Sequence, residues 1–419
     1  MKKYLFQLFY GILVFMIASC TNSETPKLPD AESFDGSYFL ISMDDARNEL
    51  NQLLLDQETA YSRTGTNTKR VIESCYTRSL KLSSRSEDSN FPIYVFNFAD
   101  NEGFAIMSSD KRTPSLLALA ENGNLSDTTE IDNPGFNMYM NLLSAGDVIP
   151  NPGTIWTYDG IEYGPWSNLF YTNFLTCCDV KWGQRNPYNK YCPKIDGTST
   201  LTGCVSTAVA QLMATYKYPE SYSDYSFNWN EMTAKPKATG CSAVGQNQIA
   251  RLMQQLGLKE NLDAEYGVKS TPTPMATIPR TLQNFGYSNG GSYVPYDTDD
   301  VVNELSDHYP VIVSGWTKNY EVGHCWLLHG LLRRTRTVKV HDLETGEVTR
   351  TYTETLYYPQ CNWGWNGQED GYYLNGVFNI SNGASFSDEF ASGVTGTTHN
   401  PNYTYDFKYS VNTIIGIRK

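Results

Sequence analysis

Residues 202–219 read TGCVSTAVAQLMATYKYP, and their pattern predicts a helix over 202–217. Apolar side chains recur at helical spacing from Val205 to Tyr216. Pro219 ends the helix because proline lacks an amide N–H and clashes with the preceding turn. Cys204 lies in the first turn, where the positive end of the helix dipole stabilises a thiolate. The position therefore favours a reactive thiol, with a small buried cysteine at a helix start as the alternative.

A thiol nucleophile needs a base, and this sequence offers few candidates because it holds only five histidines. His324 follows Gly323 and opens the strand-like run GHCWLLHGL at 323–331. Asn362 comes later, so the chain order is Cys, His, Asn, as in papain-like enzymes. An asparagine that accepts from the imidazole fixes its tautomer, and the adjacent Trp363 could shield that bond from water. Upstream, the Gln184 amide could donate to an oxyanion.

Four segments together resemble a known family. They are WGQRNPYNKYCP at 182–193, the helix at 202–219, GHCWLLHGL at 323–331 and NWGWNGQEDGYYLN at 362–375. In this order they resemble the streptopain family of papain-like cysteine peptidases.

The resemblance implies a role for each residue that matches the family motifs. Cys204 would be the nucleophile, His324 the general base and acid, and Asn362 the group that orients the imidazole. Gln184 would donate to the oxyanion, and Trp363 would shield the His–Asn pair. The resemblance implies peptide-bond hydrolysis in protein or peptide substrates. Such a mechanism requires no metal and no organic cofactor.

The predicted fold class is α+β. Helical patterns at 202–217 and 245–256 precede strand patterns after Pro310, which is an α+β arrangement. The family resemblance implies that this part is a papain-like domain with a helical half and an antiparallel β half. Four strand patterns after that proline are at 310–315, 324–332, 335–343 and 347–358.

A small α+β domain precedes the peptidase. Residues 91–99 and 103–107 read as a hairpin, a helix follows at 134–145, and the polar residues 59–90 read as an exposed loop. Residues 91–122 also resemble the inhibitory propeptide of the streptopain family. The resemblance implies a zymogen whose own prodomain is its inhibitor.

The segment 146–165 is rich in proline and glycine and marks a domain boundary. The predicted organisation is a lipoprotein signal peptide at 1–20, a tether and inhibitory prodomain at 21–150, and the peptidase domain at 151–419. No lysine or arginine occurs between Arg112 and Lys181, so a Lys/Arg-directed protease cannot cut at this boundary. We therefore expect maturation by the enzyme itself or by a protease with apolar preference.

The N-terminus indicates export. Residues 1–20 read MKKYLFQLFYGILVFMIASC, in which Lys2 and Lys3 precede an apolar run too short to span a bilayer comfortably. The last four residues resemble a bacterial lipobox, so Cys20 is expected to carry lipid after cleavage. The predicted location is the outer membrane or the cell surface, with membrane contact through the N-terminal lipid. Secretion without lipid is the alternative.

Composition narrows the possible partners. The net charge is −13, which argues against a general nucleic-acid binder because such proteins need a basic surface. Two other functions stay open. One is an inert surface lipoprotein that binds glycans or proteins, suggested by the aromatic content of 13 %. The other is a different Cys–His enzyme, such as a cell-wall amidase or transglutaminase, against which the Asn362-Trp363 pair argues.

Overall fold

A computed structural model describes eight segments of the chain. They are residues 39–62, 69–81, 90–127, 131–145, 160–171, 180–317, 323–379 and 409–419. The predicted signal peptide, Cys20 and most of the predicted linker lie outside them. Within these segments, no helix has both the length and the apolar character needed to cross a bilayer.

Seven α-helices lie in the described segments. They are α1 Met43–Ser62, α2 Pro134–Ala145, α3 Cys204–Tyr216, α4 Trp229–Met232, α5 Ala243–Leu256, α6 Ile278–Asn284 and α7 Thr298–Ser306. The strands before α3 are β1 Ile72–Lys81, β2 Asn90–Phe98, β3 Phe104–Ser108, β4 Leu116–Ala120, β5 Ile161–Tyr163, β6 Ser167–Tyr171, β7 Lys194–Ile195 and β8 Thr198–Ser199. The later strands are β9 Ser221–Tyr222, β10 Tyr225–Ser226, β11 Asn289–Pro295, β12 Val311–Thr317, β13 Gly323–His341, β14 Val348–Asn362, β15 Gly371–Tyr373 and β16 Tyr409–Arg418.

One twelve-stranded sheet runs through both parts of the molecule. Ten strands follow the order β1-β2-β3-β4-β15-β14-β13-β12-β16-β11, and β5 and β6 both pair with β13. The two parts join where β4 pairs with β15, with Ala118 opposite Tyr373 and Ala120 opposite Gly371. The predicted prodomain therefore extends the sheet of the predicted peptidase domain.

The hydrophobic core follows the same division. One buried cluster joins prodomain residues such as Leu50 and Phe98 to Trp326 and Trp363 of the β half. A second cluster surrounds α3 and α5, with Leu212 and Met253 fully buried. Apolar burial therefore ties the prodomain to the β half of the catalytic unit, while the helical half has a core of its own.

The α+β prediction agrees with the structure. Helix α2 has the predicted bounds, and α3, α5 and the β2–β3 hairpin lie within a few residues of theirs. The helical half precedes the antiparallel β half.

Two element predictions were wrong. The region 59–90, read as an exposed loop, contains β1, which pairs with β2 from Ile72 to Lys81. Polar side chains suit a strand at the edge of a sheet, so the polar composition of this region did not distinguish β1 from a loop. The predicted strands 324–332 and 335–343 are the single strand β13, which β14 pairs along nearly its whole length. Strand β5, near the end of the predicted boundary segment 146–165, also pairs with β13.

Candidate active site

Cys204 is the first residue of α3. Gly203 caps the helix with φ 88° and ψ 148°, a conformation that L side chains rarely adopt. A Cβ at Gly203 would also lie 3.1 Å from the Thr271 carbonyl oxygen. Burial raises the pKa of the Cys204 thiol above its ordinary value, although the backbone N–H groups of Cys325, Val205 and Cys204 itself oppose that rise. The sulfur therefore lies against the residue that follows His324.

His324 lies near the start of β13, opposite Gly315 of β12, and its side chain is only 2 % exposed. Its Nε2–H donates to the Trp363 carbonyl oxygen at 2.7 Å, which assigns the proton to Nε2. Burial lowers the pKa of His324 to about 4, and the Trp363 carbonyl opposes this only in part. The imidazole is therefore neutral in this state.

Asn362 ends β14, and its amide is engaged away from His324. Its Nδ2 donates to the Val180 carbonyl at 2.6 Å, and its Oδ1 accepts from the Gly364 N–H at 3.1 Å. The predicted His324–Asn362 hydrogen bond is not formed between these described residues. Trp363 is fully buried beside His324, and its ring lies 5.1 Å from that of Trp326.

Gln184 is held beside the Cys204 turn by the backbone. The Thr202 N–H donates to the Gln184 carbonyl at 3.1 Å, and α3 fixes the same segment because Gln211 Oε1 accepts from the Trp182 N–H at 3.0 Å. Gln184 is mostly buried. The five residues singled out from the sequence thus gather where α3, β13 and the end of β14 meet, but the thiol and the imidazole are both neutral.

Prodomain helix α2 begins on top of His324. A Cβ at Gly135 would lie 2.3 Å from Trp363 Cε3 and 2.8 Å from His324 Cδ2, so only glycine fits there. One turn later, Met138 covers Gly315, where a Cβ would lie 2.1 Å from the Met138 sulfur. The first turns of α2 therefore pack directly on the candidate base.

Asn133 anchors the start of α2 and was not identified from the sequence. Its Oδ1 accepts from the Gly135 N–H at 3.0 Å, and its Nδ2 donates to Gln368 O at 2.9 Å and Glu369 Oε2 at 3.0 Å. The sequence signal was Asn133-Pro134-Gly135, an N-cap residue before proline at a helix start.

Asp370 was also missed. Its Oδ1 accepts from the Trp363 N–H at 2.9 Å, and the preceding carbonyl of Glu369 accepts from the Trp363 indole at 2.8 Å. Burial raises the pKa of Asp370 to about 8, against the opposing effects of the Trp363 N–H and Lys181. Residues 369–370 thus fix both the backbone and the ring of the tryptophan that follows Asn362.

Comparison with known proteins agrees with this geometry. The profile of the peptidase C10 family matches residues 182–373. This match marks residues 182–373 as a peptidase C10 region of the chain. A second profile, described as Spi protease inhibitor, matches residues 40–145. The chain thus combines a C10 cysteine peptidase with an inhibitor-type prodomain.

Individual relatives are distant. Streptopain of Streptococcus pyogenes serotype M1 is 25 % identical over 366 residues, covering 75 % of this chain and 83 % of that protein. The thiol protease/hemagglutinin PrtT of Porphyromonas gingivalis is 24 % identical over 326 residues, covering 67 % of this chain and 34 % of that protein. The solved prointerpain A fragment of Prevotella intermedia is 22 % identical, covering 81 % of this chain and 98 % of that fragment with a TM-score of 0.48.

The state of His324 leads to a pH prediction. Because the pKa of His324 falls from 6.5 to about 4 on folding, the unfolded chain binds its proton first as the pH drops. Between pH 7 and pH 4 this linkage should cost the folded full chain about 3 kcal/mol. The raised pKa of buried Asp370 changes stability with pH in the opposite direction, so the effect of His324 must be measured as a difference. Urea denaturation of Cys204→Ala and of Cys204→Ala/His324→Gln at pH 7 and pH 4 gives that difference. Parallel losses of stability in the two proteins would contradict the buried neutral imidazole.

The contact of Gly135 leads to a second prediction. Gly135→Ala improves helix propensity, yet its methyl group would collide with His324 and Trp363. We expect α2 to lift from the site, and Cys204 in the uncut chain to react with iodoacetamide at least tenfold faster. Peptide mapping of briefly treated protein measures this rate.

Ser144→Ala, at the far end of α2, is the matched control and should react like the parent chain. Equal rates in Gly135→Ala and the parent would show that α2 does not govern access to the thiol.

Proposed function

We propose that this protein is a streptopain-like cysteine endopeptidase made as a zymogen, with Cys204 as nucleophile and His324 as base and acid. One arrangement supports the proposal. Cys204, at the N-terminus of α3, lies against β13, the strand that carries His324, and prodomain helix α2 covers His324. A thiolate–imidazolium pair forms when a cysteine at a helix N-terminus lies next to a strand that carries a histidine.

In the active state, His324 gives up its hydrogen bond to the Trp363 carbonyl and interacts with Cys204 and Asn362 instead. Once α2 withdraws, water reaches the cleft and the desolvation that keeps both groups neutral is relieved. His324 then leaves the Trp363 carbonyl and takes the proton of Cys204. The Asn362 amide oxygen turns from the Gly364 N–H to the imidazolium and orients it.

Peptide hydrolysis follows in two stages. The Cys204 thiolate attacks the carbonyl carbon, while the Gln184 amide and the Cys204 N–H donate to the oxyanion. His324 gives its proton to the leaving amine, which departs as the thioester forms. Water, deprotonated by His324, then attacks the thioester and releases the acid product and the free thiol. Trp363 shields the His324–Asn362 pair.

Latency rests on steric and electrostatic effects together. The backbone of α2 at Gly135 occupies the space above His324, and Asn133 ties α2 to the turn after Asn362. The covered imidazole is too weak a base to deprotonate a buried thiol. The prodomain thus inhibits by holding both reactive groups neutral.

The proposed location is the cell surface or the outer membrane. Residues 1–20 would be removed as a signal peptide, Cys20 would carry lipid, and residues 21–150 would be the tether and prodomain before a peptidase at 151–419. The absence of lysine and arginine between Arg112 and Lys181 favours self-cleavage at the boundary.

The proposal is tested by variants of the site in a chain that starts at residue 21. Wild type should lose its prodomain on incubation with reductant, as intact mass shows, and then hydrolyse a fluorogenic peptide. Cys204→Ala and His324→Ala should do neither. Gln184→Ala should process slowly and, once cut, lose about 10²–10³-fold in kcat because one oxyanion donor is gone.

Cys325→Ala serves as the thiol control, since this buried neighbour has no role in the mechanism and should leave kcat within a few fold. Wild type that stays intact and inactive, even after limited cleavage by a broad protease, would contradict the peptidase proposal and favour an inert binding protein.

Lipidation is tested separately on the complete chain expressed in a Gram-negative host. The wild type should incorporate labelled palmitate and sediment with membranes, whereas Cys20→Ala should incorporate none because its thiol is missing. Thr21→Ala is the neighbouring control and should be labelled normally. Label in the Cys20→Ala protein would refute the anchor at that residue.

A further inference from the structure

Arg334 lies in the middle of β13 and is completely buried, with 0 % of its side chain exposed. A guanidinium stays charged inside a protein, so burial is tolerated only when its N–H groups have acceptors. Ten positions along β13 separate it from His324, which corresponds to roughly 30 Å at the rise of a β-strand. This charge therefore does not belong to the active site.

Three acceptors surround the guanidinium. Nη2 donates to Glu49 Oε1 at 2.7 Å, and Nη1 donates to Ser115 Oγ at 3.3 Å, and both of these partners belong to the prodomain. Nε donates to Asn168 Oδ1 at 2.7 Å, and Asn168 lies on β6, directly opposite Arg334 in the sheet. The Trp166 ring lies 4.9 Å from the guanidinium carbon and 4.5 Å from that of Arg336.

Asn168 connects a second acid of the same prodomain helix. Its Nδ2 donates to Asp56 Oδ2 at 2.7 Å. Glu49 and Asp56 are two turns apart on α1, so one face of that helix presents both carboxylates to β6 and β13. Arg336 takes no part in this contact, because its Nε pairs with Glu354 of β14.

We propose that Arg334, Asn168 and Trp166 form a carboxylate-binding site on the catalytic unit, which Glu49 of the prodomain occupies in the uncut chain. The site is a second anchor for the prodomain, far from the contact of α2 with His324. The inference rests on the proposed function only in taking the prodomain to be an inhibitor that must leave.

The chemistry of the site selects its ligand. A planar guanidinium flanked by an indole and an amide oxygen suits a carboxylate, and the second amide proton of Asn168 suits another acid two helical turns away. Loss of the carboxylate while Arg334 stays buried would leave an uncompensated charge, which is strongly unfavourable. Once the prodomain departs, water solvates Arg334, and the cost of burying its charge disappears. The Arg334–Glu49 contact therefore holds α1 only while the prodomain is bound to the catalytic unit.

Hydrogen exchange of the full chain in the Cys204→Ala background tests the site without any peptidase activity. Glu49→Ala should speed exchange of the α1 amides at least tenfold, because Arg334 loses its counter-charge. Glu49→Gln keeps an acceptor of the same shape and should give a smaller increase. Asn48→Ala truncates an exposed side chain next to Glu49 in the same helix and should make α1 exchange no faster than in the parent.

Helix α5, in the separate core of the helical half, reports on folding and should exchange at the parent rate in every variant. If Glu49→Ala also speeds exchange in α5, the α1 exchange of the milder Glu49→Gln variant is used for the test instead. Parent-like α1 exchange in a folded Glu49 variant would overturn the proposal. If the Cys204→Ala chains pass this test while the chain with Cys204 intact hydrolyses no peptide even after its prodomain is cut off, the proposed function is overturned and the carboxylate site stands.

Discussion

The hydrogen bond from His324 Nε2 to the Trp363 carbonyl fixes the tautomer of the candidate base and ties it to the turn after Asn362. Burial, which this bond opposes only in part, lowers the pKa of the imidazole to about 4 and keeps the ring neutral. The same bond fixes Trp363, whose N–H is bound by Asp370 and whose ring lies under α2. One contact thus links the base, the turn after Asn362 and the prodomain helix.

Burial determines the charge of both reactive groups. In water a histidine is half protonated near pH 6.5 and a thiol ionises readily in the field of a helix N-terminus. Beneath α2 both groups are desolvated, and the neutral form of each is favoured. An inhibitor that only blocked substrate entry would leave the thiolate intact, whereas this arrangement also withholds the nucleophile.

The prodomain is held by a sheet and a core shared with the catalytic unit. Strand β4 pairs with β15, and apolar prodomain side chains complete the cluster that contains Trp326 and Trp363. Polar contacts along this interface include Asn133 at the turn after Asn362, Gln360 with Glu121, and Glu49 at Arg334. Apolar burial supplies affinity without direction, and the polar contacts fix the position of each helix.

Much of the molecule could be predicted from local sequence. The spacing of apolar residues predicted α3 and α5, and a turn between apolar runs predicted the β2–β3 hairpin, because these elements depend on neighbours within a few positions. Strand β1 could not be found in this way, because an edge strand of polar residues is defined by its partner β2.

The sequence by itself indicated five residues of the site, because the motifs that contain Cys204, His324 and Asn362 resemble those of one family. Only the tertiary structure decided their state. Asn362 bonds Val180, His324 bonds Trp363, Asp370 fixes the turn, and Gly135 covers the base. These contacts join residues far apart in the chain, and the pKa of each group depends on what buries it, which no local pattern records.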